Sequence, residues 1–224
     1  MAQKASPYAI RLGYNQVWNN YFFAANKKEQ INWLSKDKSI RDYLYSIFPD
    51  IDRLKIEYSK NNIAIYLYIP EINLVLGENN SKLETVMKGI YKIIDDEKVA
   101  VKINLIEVKN IYTHAQSIAN LINGQLKKRI RSRQIIRKLL EKIATEREVK
   151  GIKVQIKGRV DEADMAQIKK VVYKKMPLST IDSNVGKGFK AVITPHGVIG
   201  VQIIVYKGKI WQKRNKNYAN TKKN

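Results

Sequence analysis

The first half of the chain alternates between helical and extended spacing of its apolar residues. In 39–48 these residues fall at i, i+3, i+4 and i+7, which predicts a helix with one buried face that Pro49 ends. Residues 54–58 and 63–69 alternate apolar with polar positions. We therefore predict two strands, joined as a hairpin through Lys60-Asn61-Asn62.

The pattern continues with a helix, a strand and a further helix. Ser81 and Glu84 have capping-box spacing ahead of an apolar stripe that reaches residue 94, and residues 99–105 alternate as a strand does. Thr113 and Gln116 repeat the capping-box spacing before the next apolar stripe. The predicted order is helix, strand, strand, helix, strand, helix.

The second half predicts another mixed unit that begins near Gly124, a helix-weakening residue that we take as a junction. A second helical pattern runs to about Glu146. Gly186-Lys187-Gly188 lacks the further glycines and Ser/Thr of a nucleotide loop and predicts a hairpin turn. The other predicted elements are a strand at 152–157, a helix at 163–174, and strands at 178–182, 189–194 and 198–206.

These elements predict an α+β protein of two domains between two basic arms. We assign 1–28 to an N-terminal arm and 29–124 to a first domain with a three-stranded sheet. Residues 125–208 form a second α+β domain, and 209–224 form a basic tail that carries no acid.

Charge narrows the possible partners. The 42 Lys and Arg residues against 20 Asp and Glu give a net charge of +22 in 224 residues, which favours a polyanionic partner. The longest apolar run, 198–206, falls well short of the roughly 20 residues of a spanning helix. We also find no targeting segment at the start and no cysteine for disulfide or thiolate zinc sites.

The densest basic cluster lies in 127–142 and is opposed by one acid, Glu141. We predict it on a helix whose apolar residues fall on one arc and whose cations fall on the other. Cations at i, i+4 without partners repel one another, so we expect nucleic-acid phosphate to bind them. A plain solvated helix face is the alternative. Catalytic constellations are weak, so we expect no enzyme, cofactor or metal site.

Several blocks of residues carry a resemblance to a known family. They are Met1-Ala2-Gln3-Lys4, Arg11-Leu12-Gly13, Trp18, Val75-Leu76-Gly77, Gln125-Leu126, Gly151-Ile152-Lys153-Val154, Gly158-Arg159, Pro177-Leu178, Gly197-Val198-Ile199-Gly200-Val201 and Lys207-Gly208. On these blocks the chain resembles, nearly end to end, bacterial and organellar ribosomal protein three of the small subunit.

The resemblance implies a type II KH domain over 29–124, followed by the second α+β domain. It implies a structural constituent of the head of the small ribosomal subunit, placed on the ribosome in a bacterial cytoplasm or an organelle matrix. The implied partners are small-subunit ribosomal RNA, messenger RNA and neighbouring head proteins, with no membrane, small-molecule substrate or cofactor. Residues at the entrance of the messenger RNA channel would be Arg133, Gln134 and Arg137, of which Gln134 departs from the usual cation.

The KH loop departs from the family pattern of Gly-Lys-Lys-Gly. Here it is Gly77, Glu78, Asn79 and Asn80, and Glu78 would repel a phosphate. The alternative function, a free-standing KH-type regulator that binds single-stranded RNA or DNA, would depend on that loop. The remaining candidate contacts to ribosomal RNA or phosphate are Gln3, Lys4, Arg11, Trp18, Lys127, Lys128, Arg129, Arg131, Lys138, Arg159, Lys213 and Arg214.

Overall fold

The computed structural model describes residues 5–24, 26–59, 62–76, 81–94 and 99–210. They belong to two compact units. Trp18–Lys109 is the N-terminal unit, while the described parts of Met1–Val17 and Asn110–Asn224 make up the C-terminal unit. The start of the chain is therefore part of the same unit as the last strands, a division that differs from the sequence-based bounds at 28 and 124.

The N-terminal unit packs helices on one face of a four-stranded sheet, whose strand order is β1-β2-β3-β4. Strands β2 and β3 are antiparallel, and β4 lies parallel to β3. In chain order the elements are β1 (Asn20–Tyr21), α1 (Lys27–Ile47), β2 (Arg53–Tyr58), β3 (Asn62–Ile69), α2 (Ile72–Leu76), α3 (Ser81–Ile94) and β4 (Ala100–Glu107).

Alternation along the strands decides which face of this sheet is buried. In β3 every second residue from Ile63 to Ile69 is buried, and these side chains pack with Ile40 and Leu44 of α1 and with Ile90 of α3. The three predicted strands are present, and β1 adds two residues at the edge. This order of helix, two strands, two helices and a strand agrees with the KH domain that the resemblance implies.

The C-terminal unit is an antiparallel four-stranded sheet, in the order β6-β5-β8-β7, with two helices on one face. Its elements are α4 (Ala115–Lys127), α5 (Ser132–Thr145), β5 (Gly151–Gly158), β6 (Gln167–Lys174), β7 (Ser183–Thr194) and β8 (Gly197–Lys209). The expected α+β class is thus confirmed in both units. None of the helices in the described segments is long and apolar enough to cross a membrane.

The helix predicted at 163–174 is wrong, because β6 occupies Gln167–Lys174 as an edge strand paired with β5. Two consecutive lysines, Lys169-Lys170, are followed by two consecutive valines, Val171-Val172. They interrupt the strict alternation of a strand and imitate helical spacing. The β-branched side chains of Ile168, Val171 and Val172 favour the strand that forms.

The strand predicted at 178–182 is also wrong, since this segment is an irregular connection ahead of β7. Its backbone carbonyls accept hydrogen bonds from side chains rather than from a neighbouring strand: Leu178 and Thr180 bond to Arg11, and Ile181 bonds to Asn15. The turn predicted at Gly186-Lys187-Gly188 is wrong too, because β7 runs straight through it.

Helix α1 begins at Lys27, well before the predicted start at residue 39. Its first turns expose Ile31 and Leu34, so they carry no apolar stripe that a periodicity analysis detects. Helix α4 continues past Gly124 to Lys127, so that glycine lies inside an element rather than at a junction.

Candidate nucleic-acid interface

Helix α5 separates an apolar face from a charged one, as its spacing predicts. The apolar face packs into the core of the C-terminal unit and the other face is open to solvent. The buried residues are Ile135, Ile136, Leu139 and Ile143, and the exposed residues include Arg133, Gln134, Arg137 and Lys138.

The prediction that the whole basic cluster lies on one helix is wrong. Residues 128–131 form a bend between α4 and α5. Arg129 adopts a left-handed backbone conformation with φ of 57°. Its N–H donates to the Leu126 carbonyl, and the N–H of Ile130 donates to the Gln125 carbonyl. This is the Schellman geometry that usually places glycine where Arg129 lies.

Asp161 caps the N-terminus of α5 from the loop after β5. Its carboxylate accepts a hydrogen bond from the Ser132 backbone N–H at 2.7 Å and another from the Ser132 hydroxyl at 2.7 Å. Lys169 of β6 donates to the same carboxylate at 2.5 Å. The carboxylate thereby pairs the orphan backbone N–H of Ser132, and its negative charge offsets the positive end of the helix dipole.

The protonation equilibrium of Asp161 reflects this position. Partial burial by itself raises the pKa of the carboxyl, but the hydrogen bonds from Lys169 and from Ser132 outweigh burial. The pKa of Asp161 is therefore held below its ordinary value, and the group is ionised at neutral pH.

The cations around this bend differ in whether they have a partner. Arg137 forms an exposed pair with Glu141 at 3.2 Å, and Lys142 donates to the Tyr112 hydroxyl at 2.8 Å. The others have no ion-pair partner within the described ranges: Lys127, Lys128, Arg129, Arg131, Arg133 and Lys138. The candidate interface is therefore a group of exposed cations without ion-pair partners in the described residues, an arrangement suited to phosphate contacts.

A groove of about 310 Å³ opens beside these cations. Three segments of the C-terminal unit border it: the α4–α5 bend, the loop after β5 and the β7–β8 hairpin. Its lining residues are Leu126, Lys127, Arg129, Ile130, Arg131, Arg159, Asp161, Glu162, Ile193, Thr194, Pro195, His196 and Ile199. Lys127, Arg129 and Arg131 of the predicted basic cluster thus line one groove with Arg159, which was predicted apart from that cluster.

Arg159 fastens two walls of this groove to each other. Its Nε donates to the Ala163 carbonyl at 3.0 Å, and its Nη1 donates to the His196 carbonyl at 3.3 Å. No other hydrogen bond of Arg159 is present in the part of the chain that the structure describes. The N–H groups of Nη2 can therefore donate to a ligand.

Arg11 requires a correction, because its side chain is fully buried and cannot reach a phosphate. The guanidinium donates to the backbone carbonyls of Pro7, Leu178, Thr180 and Ser183 at 2.5 to 2.9 Å. These bonds fasten the N-terminal segment to the connection before β7. Arg11 is a structural residue, and we exclude it from the proposed phosphate contacts.

Nine further candidate residues remain from the sequence. Trp18 belongs to the N-terminal unit and is 56% exposed. Eight candidates lie outside the described residues: Gln3, Lys4, Gly77, Glu78, Asn79, Asn80, Lys213 and Arg214. In the segments that are described, no group of three or more His, Cys, Asp or Glu side chains could hold a metal ion.

Asp161, Ser132 and Lys169 together hold the start of α5, and none of them was predicted from the sequence. Ser132 lies 29 positions before Asp161 in the chain, and Lys169 lies on a strand that the spacing predicts as a helix. The only local signal is the serine at the start of the apolar stripe, a residue type typical of helix N-termini. That signal gives no indication that a distant carboxylate caps the helix.

Comparison with known proteins relates both halves of the chain to the same class. Residues 122–205 match the family model described as ribosomal protein S3, C-terminal domain. A small ribosomal subunit protein uS3 from Spiroplasma citri is 33% identical over 95% of this chain and 84% of its own length.

Two further relatives carry the same name. The uS3 protein of an Exiguobacterium strain is 30% identical over 100% of this chain and 99% of its own length. That of Mycoplasma capricolum is 28% identical over 97% of this chain and 93% of its own length. The similarity therefore includes the N-terminal unit, which the family model does not cover.

Proposed function

Because this chain belongs to the small ribosomal subunit protein uS3 family, we propose that it is a structural constituent of the small-subunit head that binds ribosomal RNA. It acts as a scaffold and not as an enzyme. Its partners are small-subunit ribosomal RNA and neighbouring head proteins, and it resides on the ribosome.

The observation that carries this proposal is the set of unpaired cations on α5 and on the bend before it. Like charges at helical spacing destabilise the chain by a few tenths of a kcal/mol per pair. Phosphate groups offset that repulsion, and the arginines can take a phosphate with two parallel hydrogen bonds. Arg129 and Arg131 on the bend, together with Lys138 on α5, are the contacts that we assign to ribosomal RNA.

We also propose that the chain contacts messenger RNA. We assign Arg133, Gln134 and Arg137 to the entrance of the messenger RNA channel, where cations contact the incoming strand. All three lie on the exposed face of α5. The exposed pair between Arg137 and Glu141 contributes little stability, so an incoming phosphate can replace Glu141.

Ribosomes assembled with Arg133→Ala test this assignment. We expect slower translation of a message with a stable hairpin and unchanged translation of an unstructured message. The reason is that the variant loses one cation that we assign to the incoming messenger RNA strand. The effect should be roughly threefold to tenfold, the size of one charge-assisted contact. Lys170→Ala removes an equal charge from exposed β6 and is the matched control.

Gln134→Arg provides the opposite test on the same helix face. Because it adds a cation where the chain has an amide, we expect faster passage of the structured message through the channel. Equal rates on both messages for Arg133→Ala and Gln134→Arg would overturn the assignment to the channel entrance. That result would leave ribosomal RNA binding by the remaining cations intact.

A further inference from the structure

The groove beside the α4–α5 bend contains cations that the chain itself does not neutralise. Of its two acids, Asp161 is bonded to Ser132 and Lys169, whereas Glu162, 3.6 Å from His196, offsets only one of the groove's positive charges. Lys127, Arg129 and Arg131 have no such partner in the described segments. The groove therefore presents free positive charge to a ligand.

The β7–β8 hairpin gives the groove a surface that is suited to a flat, partly apolar group. Ile193, Pro195 and His196 of the β7–β8 hairpin are exposed there, above the buried side chains of Leu126 and Ile199. An imidazole ring and a guanidinium plane are both surfaces on which nucleobases stack. Cations and a surface that can accept a base thus line the same groove.

Backbone strain is concentrated at the same place. The described chain has four non-glycine residues with positive φ: Arg129, Asp161, Glu162 and Lys174. The first three line the groove. A left-handed conformation costs a residue with a Cβ on the order of 1 kcal/mol, and such conformations cluster at ligand sites.

We infer that this groove binds a single unstacked RNA nucleotide. Arg129 and Arg131 contact its phosphate, and its base lies against the β7–β8 hairpin. A volume of about 310 Å³ is at the small end of ligand sites, which fits one nucleotide and excludes a duplex. The inference rests on the proposed RNA-binding function and adds a site that discriminates a base from bare phosphate.

The test uses the full chain and a single-stranded hexauridylate that carries one photoreactive 4-thiouridine. After irradiation, mass spectrometry of the peptides identifies the protein residues joined to the base. We expect adducts in the β7–β8 hairpin, at Pro195 or His196. A hexamer in which every residue is abasic should bind about tenfold more weakly, because no base is then left to stack on the hairpin.

Arg129→Gly is the informative variant, because glycine adopts this backbone conformation without strain and the fold should persist. We expect it to weaken hexauridylate binding about tenfold and to remove the hairpin adducts. Lys128→Gly deletes an equal charge from the neighbouring residue, which does not line the groove, and should weaken binding less than about threefold.

Adducts confined to the exposed face of α5, or equal binding of the abasic and complete oligonucleotides, would overturn the nucleotide site while RNA binding stands. If Arg129→Gly and Lys128→Gly weaken binding equally, the groove contributes only charge and the inference also fails. Failure of the wild-type chain to bind any RNA would overturn the proposed function itself.

Discussion

At the scale of single residues, Asp161 occupies the place that a phosphate would otherwise take at the start of α5. Its carboxylate accepts both donors of Ser132 and neutralises the positive end of the helix. This agrees with our proposal that phosphates bind the flanking arginines rather than the helix start. Arg11 is the opposite case. We predicted that it contacts phosphate, but its guanidinium donates to four backbone carbonyls inside the protein.

Asp161→Asn should lower the free energy of unfolding by about 1 kcal/mol at neutral pH, the size of a helix cap. Because the pKa of folded Asp161 lies below the ordinary 3.8, its contribution is complete above that value and is lost as the pH falls through the folded-state pKa. Urea unfolding at several pH values measures the difference between wild type and variant.

The matched control is Asp164→Asn, which changes an exposed acid of the same loop. We expect that variant to unfold like the wild type at every pH. A difference for Asp161→Asn that stays constant down to the most acidic condition would show that ionisation of the cap is unimportant.

Arg11→Ala should lower the free energy of unfolding by about 2 to 4 kcal/mol, since it leaves buried carbonyls without donors. Arg11→Lys should recover little, because one ammonium cannot reach the four carbonyls that the guanidinium contacts. Chemical denaturation monitored by circular dichroism measures both. Unfolding midpoints equal to that of the control Lys128→Ala would contradict a structural role for Arg11.

At the scale of elements, α4 lies unusually close to β7. A Cβ placed on Gly188 would come within 2.3 Å of the Ala115 carbonyl oxygen, whereas one on Gly186 would meet only the Ala115 Cβ at 3.7 Å. The Gln116 side chain adds two hydrogen bonds to the backbone of Phe189 in the same strand. Glycine at 188 therefore permits the helix to pack on this strand.

Gly188→Ala should destabilise the chain by about 1 to 3 kcal/mol, because the added methyl group forces α4 away from the sheet. Gly186→Ala adds the same methyl two residues earlier in ordinary contact distance and should change stability by less than about 0.5 kcal/mol. Thermal unfolding of the two variants measures the contrast. Equal melting temperatures would mean that the close approach imposes no constraint.

Elements with a regular apolar period are predictable here, and the others are not. The buried face of α5 and the alternating strand β3 follow from spacing alone. Strand β6 does not, because it lies at a sheet edge with much of its surface exposed. The bend at Arg129 also escapes prediction, since an arginine stands where sequence analysis looks for glycine.

At the scale of the whole molecule, the net charge of +22 identifies the partner class, and the fold determines where that charge can act. The exposed cations of α5 and the bend were predictable from the missing acids. The groove was not, because three segments distant in sequence form it. Charge accounts for affinity to RNA, whereas the proposed nucleotide site in the groove would discriminate a base from bare phosphate.

The central claim is that this chain is a permanent component of the small ribosomal subunit. Sucrose-gradient sedimentation of cell extract at moderate and high salt tests it most directly. We predict that the chain sediments with the small subunit and remains there after a high-salt wash. A chain that stays at the top of the gradient, or leaves with the steep salt dependence of simple counterion release, would contradict the claim and favour a free-standing RNA-binding regulator.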